Sequence, residues 1–422
     1  MIRRVLTFAV LAALLVAATV WLADRPGTVT IRWEGWRVDT TVPVLVLAVL
    51  ALLAAIHLML RLGASLFGGP GRFFAGRRAR RTRDGYRALS DGMAALAVGD
   101  ARQARALARR ADRLLADSSL TGLLSAQTAD PAEARDRYAR LTERPETAFL
   151  GHKGLTDLAL RTGDDAAALE HARHAWAAGG PAEGLAATLF ALQAGAGLWD
   201  EAAATLDEAR RRRAMSGADL LHRRALVALE RSARAERDGR SADALEQALA
   251  ARKADPTLTA AAVRAAALLH RAGKARKATA ILSDAWEAAP HPDLIAALLA
   301  LAPMETPLER VKRIEKLVRL NPDAAAGHAA LAEAALAARL WGQARTHLDR
   351  AVDLRPGPGL FILLARLERE ERQDESAAQA WLSRVPTAPA EPAWTCRACG
   401  KPTDSWAVQC PSCRAVDSLT WA

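Results

Sequence analysis

Apolar and polar positions follow three different rhythms along this chain of 422 residues. Near the N-terminus the apolar positions are continuous. Val5 to Ala23 and Val42 to Leu60 are each 19 residues without a charge, the second interrupted only by the polar His57. At about 1.5 Å per helical residue each run covers roughly 28 Å, close to the ~30 Å of bilayer hydrocarbon, so each predicts a membrane-spanning helix. Between them the period is two: Val29, Ile31 and Trp33 alternate with polar residues, Glu34-Gly35 can turn, and Trp36 and Val38 alternate again. That pattern predicts a small hairpin on the outer membrane surface, with Trp33 and Trp36 at headgroup level. From residue 84 to residue 390 the rhythm is helical, with Leu and Ala at three- and four-residue spacing, as in Leu294, Ala297, Leu298 and Leu301.

Within the helical region a small residue recurs at Ala104, Ala134, Ala168, Ala202, Ala244, Ala278, Val311, Ala344 and Ala377, at gaps of 30, 34, 34, 42, 34, 33, 33 and 33. Seven positions later stand Ala111, Ala175, Ala209, Ala251, Ala285 and Ala351; twelve earlier stand Gly92, Gly122, Ala266, Ala332 and Ala365; twelve later stand Pro256, Pro290, Pro356 and Pro389. Small side chains let paired helices approach, and proline ends a helix because it lacks an N–H and clashes with the preceding turn. Gly99-Asp100, Gly163-Asp164, Gly239-Arg240 and Gly273-Lys274 supply turns between the helices. Three agreeing offsets favour nine tetratricopeptide (TPR) units over an ordinary alanine-rich bundle. Thr156, Phe190 and Leu299 replace the small residue of the first helix, and predict other packing angles there. The gap of 42 contains Arg210 to Arg213 and predicts an insertion or a lengthened helix; the four arginines read as a solvated helix face before they read as a site for an acidic partner.

The arginines orient the membrane segment. Arg3 and Arg4 precede the first run, and Arg61, Arg72, Arg77, Arg78, Arg80, Arg81, Arg83 and Arg87 follow the second. In the loop at 24–41 three arginines are balanced by Asp24, Glu34 and Asp39. The positive-inside rule then places both termini in the cytoplasm. A cleaved signal peptide competes for the first run, but its length, Trp21 as an interfacial anchor and the second run behind it favour a retained pair of spans. The cluster from Arg72 to Arg87 also suits anionic lipid headgroups, at about 1 kcal/mol per charge near the surface.

Composition narrows the rest. Hydrophobic residues make up 51% of the chain and aromatic residues only 5%, which suits stacked Ala/Leu helices rather than a large β-sheet core. The net charge of +11 raises nucleic acid as a partner, but the excess sits at residues 61–87 and 210–213 with no aromatic platform interleaved, so none is expected. His171 and His174 share a helix face and invite a metal, yet no third ligand stands near them in sequence, and they read as surface residues. His57 reads as an interhelical hydrogen-bonding group before a haem ligand.

The strongest chemistry lies at the end. All four cysteines fall there as Cys396-Arg-Ala-Cys399-Gly400, ten intervening residues counted from Cys399, then Cys410-Pro-Ser-Cys413. Two CxxC turns present four thiolates to one ion, a full tetrahedral shell that suits Zn²⁺ and that iron can also take. Gly400 permits the tight turn after the second ligand and Pro411 stiffens the second. Paired disulfides are disfavoured by a cytoplasmic location, and no thioredoxin-like pattern surrounds either pair. Trp394, Trp406 and Trp421 are expected to cover the site or dock it on the last repeats.

Two spans, an arginine-rich stretch running into GYRALSDGMAALAVGDARQARALARRA, and TPR units resemble the HemY family of Proteobacteria. The tail WTCRACGKPTDSWAVQCPSCRAVDSLTW is similar to the zinc-ribbon ending of its alphaproteobacterial members. The resemblance implies an inner-membrane protein associated with a late stage of protohaem synthesis. The unrelated flavin-dependent oxidase that shares the name is excluded: Gly195-Ala-Gly197 continues as Leu-Trp-Asp rather than as a dinucleotide fingerprint, so no flavin or nucleotide is expected. The plan is also similar to that of LapB-type lipopolysaccharide assembly proteins, which have one span, a TPR array and a rubredoxin-like tail.

The expected architecture is all-α: a membrane hairpin at 1–62 (spans about 5–23 and 42–60), a basic linker at 63–83, TPR-like repeats at 84–390 and a metal ribbon at 391–422. No Ser/His/Asp set, paired carboxylates or phosphate loop stands out, so the expected function is that of a multi-pass inner-membrane scaffold, not an enzyme. Its TPR groove would gather membrane and cytoplasmic proteins, haem-pathway enzymes first; a LapB-like adaptor in envelope assembly or regulated proteolysis is the alternative.

Overall fold

The computed structural model describes residues 27–115, 119–179 and 183–422, with residues 13, 16, 17, 20 and 21 ahead of them. Most of the first apolar run, 5–23, therefore lies outside the described residues. The chain divides into two compact units, Met1–Thr128 and Ala129–Ala422.

In the first unit the period-two segment forms the hairpin expected of it. Strands β1 (Thr28–Trp33) and β2 (Trp36–Thr41) pair antiparallel, with Val29 opposite Thr40 and Ile31 opposite Val38. Glu34 and Gly35 both have positive φ, 50° and 86°, the backbone of a two-residue turn whose twist matches the strands. Ile31, Trp36 and Val38 are exposed. Helix α1 (Val42–Val98) follows with a proline in its first turn and runs for 57 residues, about 85 Å. Its start, Val42–Arg61, is 20 residues long, apolar, wholly unburied and long enough to cross a bilayer; among the described residues it is the one such helix. The stretch expected as a linker at 63–83 is thus the middle of that helix, and carries Arg77, Arg78, Arg80, Arg81 and Arg83 on exposed positions.

The end of α1 is the first helix of a repeat. Ala88 and Leu89 pack against Ala108 and Ala111 of α2 (Ala101–Leu114) and Leu124 of α3 (Ser119–Thr128). Gly92 is small for a reason: a Cβ there stands 2.7 Å from Leu124 Cδ2.

The second unit begins with α4 (Pro131–Thr142) and continues as antiparallel pairs. These are α5 (Pro145–Thr162) with α6 (Asp165–Ala178), α7 (Glu183–Gly195) with α8 (Trp199–Arg212), α9 (Gly217–Arg237) with α10 (Ser241–Ala254), and α11 (Thr259–Arg271) with α12 (Ala275–Ala288). Then come α13 (Pro292–Ala300) and α14 (Pro307–Leu320), α15 (Ala325–Ala337) with α16 (Trp341–Leu354), and α17 (Pro358–Leu367) with α18 (Glu375–Leu382). The recurring small residues fill the contacts between them: Ala168, Ala202, Ala244, Ala278 and Ala344 are completely buried, and Val311 nearly so. Of the bulky exceptions, Phe190 is fully buried and Thr156 is buried with its hydroxyl donating to the His152 carbonyl at 2.8 Å.

Two departures from the period have structural causes. The long gap between Ala202 and Ala244 exceeds 34 by 8, and α9, at 21 residues, exceeds the 13-residue α11 and α15 by the same 8. The extra residues therefore lengthen α9. Arg212, from the arginine run, lies over the Trp176 ring at 4.7 Å and donates to the Trp176 carbonyl at 3.0 Å. In the last pair the buried small residue is Ala378 rather than Ala377, because a π-turn at Glu368–Arg372 inserts a residue ahead of α18.

Candidate metal centre and its seat on the helix pairs

The chain closes with a three-stranded antiparallel sheet in the order β4 (Pro402–Thr403), β3 (Trp394–Cys396), β5 (Leu419–Trp421). Each CxxC turn hangs from the same pair of backbone bonds. Cys396 N–H donates to Lys401 O at 3.0 Å and Gly400 N–H to Cys396 O at 2.8 Å; Cys410 N–H donates to Ala415 O at 2.9 Å and Arg414 N–H to Cys410 O at 2.8 Å. The residue four after the first cysteine has positive φ in both turns, Gly400 at 70° and Arg414 at 61°. The freedom expected at Gly400 is used, and its counterpart in the second turn is an arginine.

These turns bring Cys396, Cys399, Cys410 and Cys413 together, with all four sulfurs within 4.8 Å of one another. Cys396 and Cys413 are 3.7 Å apart and Cys399 and Cys410 3.9 Å. A tetrahedron with metal–sulfur bonds of about 2.3 Å has edges of about 3.8 Å, whereas a disulfide needs about 2.05 Å. The cysteines are free thiols, spaced as the ligands of one ion. The Ser418 hydroxyl, 3.2 Å from Cys396 Sγ, holds that thiol down to about 6, while Cys413, against a lowering backbone bond from Ala415, is pushed up to about 12 by desolvation and its three sulfur neighbours. Cys396 and Cys410 are buried with Trp394 and Leu419, while Cys413 is exposed.

The tryptophans do dock the ribbon, but on the middle of the array rather than on the last repeats. Trp394 stacks on His291 with centroids 5.0 Å apart, Trp421 meets the same ring edge-on at 4.6 Å, and Trp394 Nε1–H donates to Asp293 at 3.3 Å. His291 caps α13 by accepting from Asp293 N–H at 3.1 Å, and its burial pushes its pKa below the ordinary value. Trp406 and the buried Val408 pack on Ala225, Leu226 and Leu229 of α9 and Ala261 of α11. Val416 reaches Phe190 and Leu220. Gln409 donates to the Ala194 carbonyl, and His222 of α9 lies between Asp255 and Asp417, 2.6 Å and 3.0 Å away. The helices touched are α7, α9, α11 and the start of α13. The lengthened α9 carries most of the seat. Contacts such as Gln409 to Ala194 span 215 residues, and no local sequence signal announces them.

The family model described as HemY protein N-terminus matches residues 27–133. The probable magnetosome protein Mms48 of Magnetospirillum gryphiswaldense (strain MSR-1) is 30% identical over 423 residues, spanning 100% of this chain and 94% of that one. The chain belongs to the HemY family. Among solved structures this chain is similar to the MamA protein (12% identity, 38% of this chain and 89% of that chain, TM-score 0.27). It is similar also to a tetratricopeptide repeat protein from Parabacteroides merdae (16%, 60% and 93%, TM-score 0.28) and to Naa15/Naa10 bound to HypK-THB (14%, 74% and 63%, TM-score 0.38). The repeat assignment rests on the chain's own period and helix pairs.

Proposed function

We propose that this chain is a non-enzymatic scaffold of the bacterial inner membrane, anchored by two spans with both termini in the cytoplasm, that gathers late haem-pathway enzymes beside the bilayer. The observation that carries the reading is the single helix α1, which runs from an apolar membrane-length segment directly into the first repeat. A helix without a break ties the first repeat to the membrane surface, where porphyrins are handed on, and its exposed arginines match the anionic headgroups there. Stacked helix pairs offer long surfaces for protein partners. The pathway comes from the association of the HemY family with a late stage of protohaem synthesis.

In this reading Cys396, Cys399, Cys410 and Cys413 hold one Zn²⁺ as a structural ion: four sulfur ligands fill its shell and leave no position for a substrate. The boundaries proposed are membrane segment 1–62, basic segment 63–83, repeats 84–390 and ribbon 391–422. The second reading, an adaptor in envelope assembly or regulated proteolysis like LapB-type proteins, is favoured by the same pairing of repeats with a four-cysteine tail.

The test is the porphyrin and haem content of a strain lacking the gene. Accumulated porphyrin with low haem, restored by the intact gene, supports the haem-pathway scaffold. A normal profile removes it and leaves the envelope adaptor.

A further inference from the structure

We infer that His152, His171 and His174 form a second metal site, separate from the cysteines, for a borderline divalent cation of the zinc type. Sequence spacing offered only the pair on α6. The fold supplies the third ring from α5, because the two helices run antiparallel about the turn at Gly163. His152 lies eleven residues before that glycine and His174 eleven after it, so the two stand level, with His171 one helical turn along the same face as His174.

The ring centroids of His152 and His174 are 4.9 Å apart, and those of His152 and His171 5.6 Å apart. Two imidazoles on one tetrahedral ion, each with a metal–nitrogen bond of about 2.0–2.1 Å, have centroids on the order of 5 Å apart. The cysteine sulfurs already converge on a point. The rings of His152 and His174 are stacked, 21° from parallel, so a shared ion requires rotation about χ2, a broad torsion in this residue, to turn their nitrogens toward one point.

The polar chemistry of the cluster is unfinished. His152 Nδ1 and His171 Nδ1 are both shut off from solvent without a hydrogen-bond partner, a costly arrangement that a bound cation relieves. Glu170, whose charge acts on His152, lies exposed beside His171 as a counter-charge. Exposed His174 leaves the ion a way in. Three imidazoles with no thiolate suit zinc, nickel or copper, and leave a position open to water or to a partner's side chain.

Cobalt separates the two sites. Full-length protein in detergent, stripped of metal and kept reduced, is titrated with Co²⁺, and thiolate ligation announces itself by intense sulfur-to-metal charge-transfer absorption. Two equivalents are expected, one with that absorption and one without it. H174A and H152A each keep the first and lose the second, or weaken it at least tenfold; H174Q, changed at an exposed position, repeats the loss with helix content intact by circular dichroism. A wild-type chain that takes a single equivalent, or variants that keep both unchanged, overturns the site.

Discussion

His222 Nε2 meets Asp417 Oδ1 at 3.0 Å across 195 residues of sequence, while the other ring nitrogen meets Asp255 at 2.6 Å. With a carboxylate at each nitrogen the ring holds both protons. Its pKa rises to about 9, chiefly through the Asp417 hydrogen bond, with Asp255 adding to it against the effect of burial. A pKa above the ordinary 6.5 means that this contact's stability is fully present below that value and is lost as pH climbs through about 9. The ribbon should therefore loosen between pH 7 and pH 10. A H222Q chain should lack that dependence and lose about 1–2 kcal/mol at pH 7, the site being one-third exposed. Hydrogen exchange at Val408 against pH reads the effect, and identical profiles for the two chains would sink it.

Metal removal should undo the ribbon and spare the repeats. The ribbon's own core is small, and metal binding supplies folding free energy on the order of 10–16 kcal/mol in comparable peptides. Chelation, or C410S, should expose Ala225, Leu226 and Ala261, now covered by Trp406 and Val408. Dye binding to apolar surface should rise while the helical circular dichroism changes little. Dye binding that stays flat while the metal leaves would mean that the ribbon docks without it.

What sequence conveys here follows the range of the interaction. The buried alanines, the hairpin turn at Glu34-Gly35 and the paired CxxC turns are set by neighbours within a few residues, so spacing reveals them. The long gap after Ala202 announced extra length, but its place in α9 emerged only with the fold. The docking of Trp394 on His291, and the meeting of His152 with His174, depend on which helices become neighbours. A pattern of small residues does not encode that.

Arg345 should be among the most sensitive charged positions. It donates to Glu368 at 2.7 Å and also to Glu371, and Glu368 is only 6% exposed. Both contacts hold Arg345 well above its ordinary pKa, the Glu368 hydrogen bond most of all. Glu368 opens the π-turn that resets the last helix pair. Removing the guanidinium leaves the buried Glu368 carboxylate with only Arg372, 3.8 Å away, so R345A should cost roughly 3 kcal/mol in urea unfolding. The double variant R345M/E368L removes both charges and should recover most of that loss. Equal losses in the two variants would show that packing, not charge, is at stake.

The turns within the pairs offer a stabilising change. At Gly163, φ 73°, the chain leaves α5 through a left-handed residue whose N–H donates to Leu160 O at 3.3 Å, with Asp164 N–H donating to Ala159 O at 2.9 Å. Arg339, φ 56°, stands at the matching place between α15 and α16, with Arg339 N–H to Leu336 O at 2.9 Å and Leu340 N–H to Ala335 O at 2.8 Å. The backbone is the same, but Arg339 carries a Cβ where L-residues are strained. R339G should therefore stabilise the chain and G163A should destabilise it, each by roughly 1 kcal/mol. The glycine's larger unfolded-state entropy trims the gain, so R339G should show the smaller change of the two. Opposite shifts in thermal midpoint are the expected result. A loss of stability in both would mean that the Arg339 side chain contributes more than its backbone strain costs.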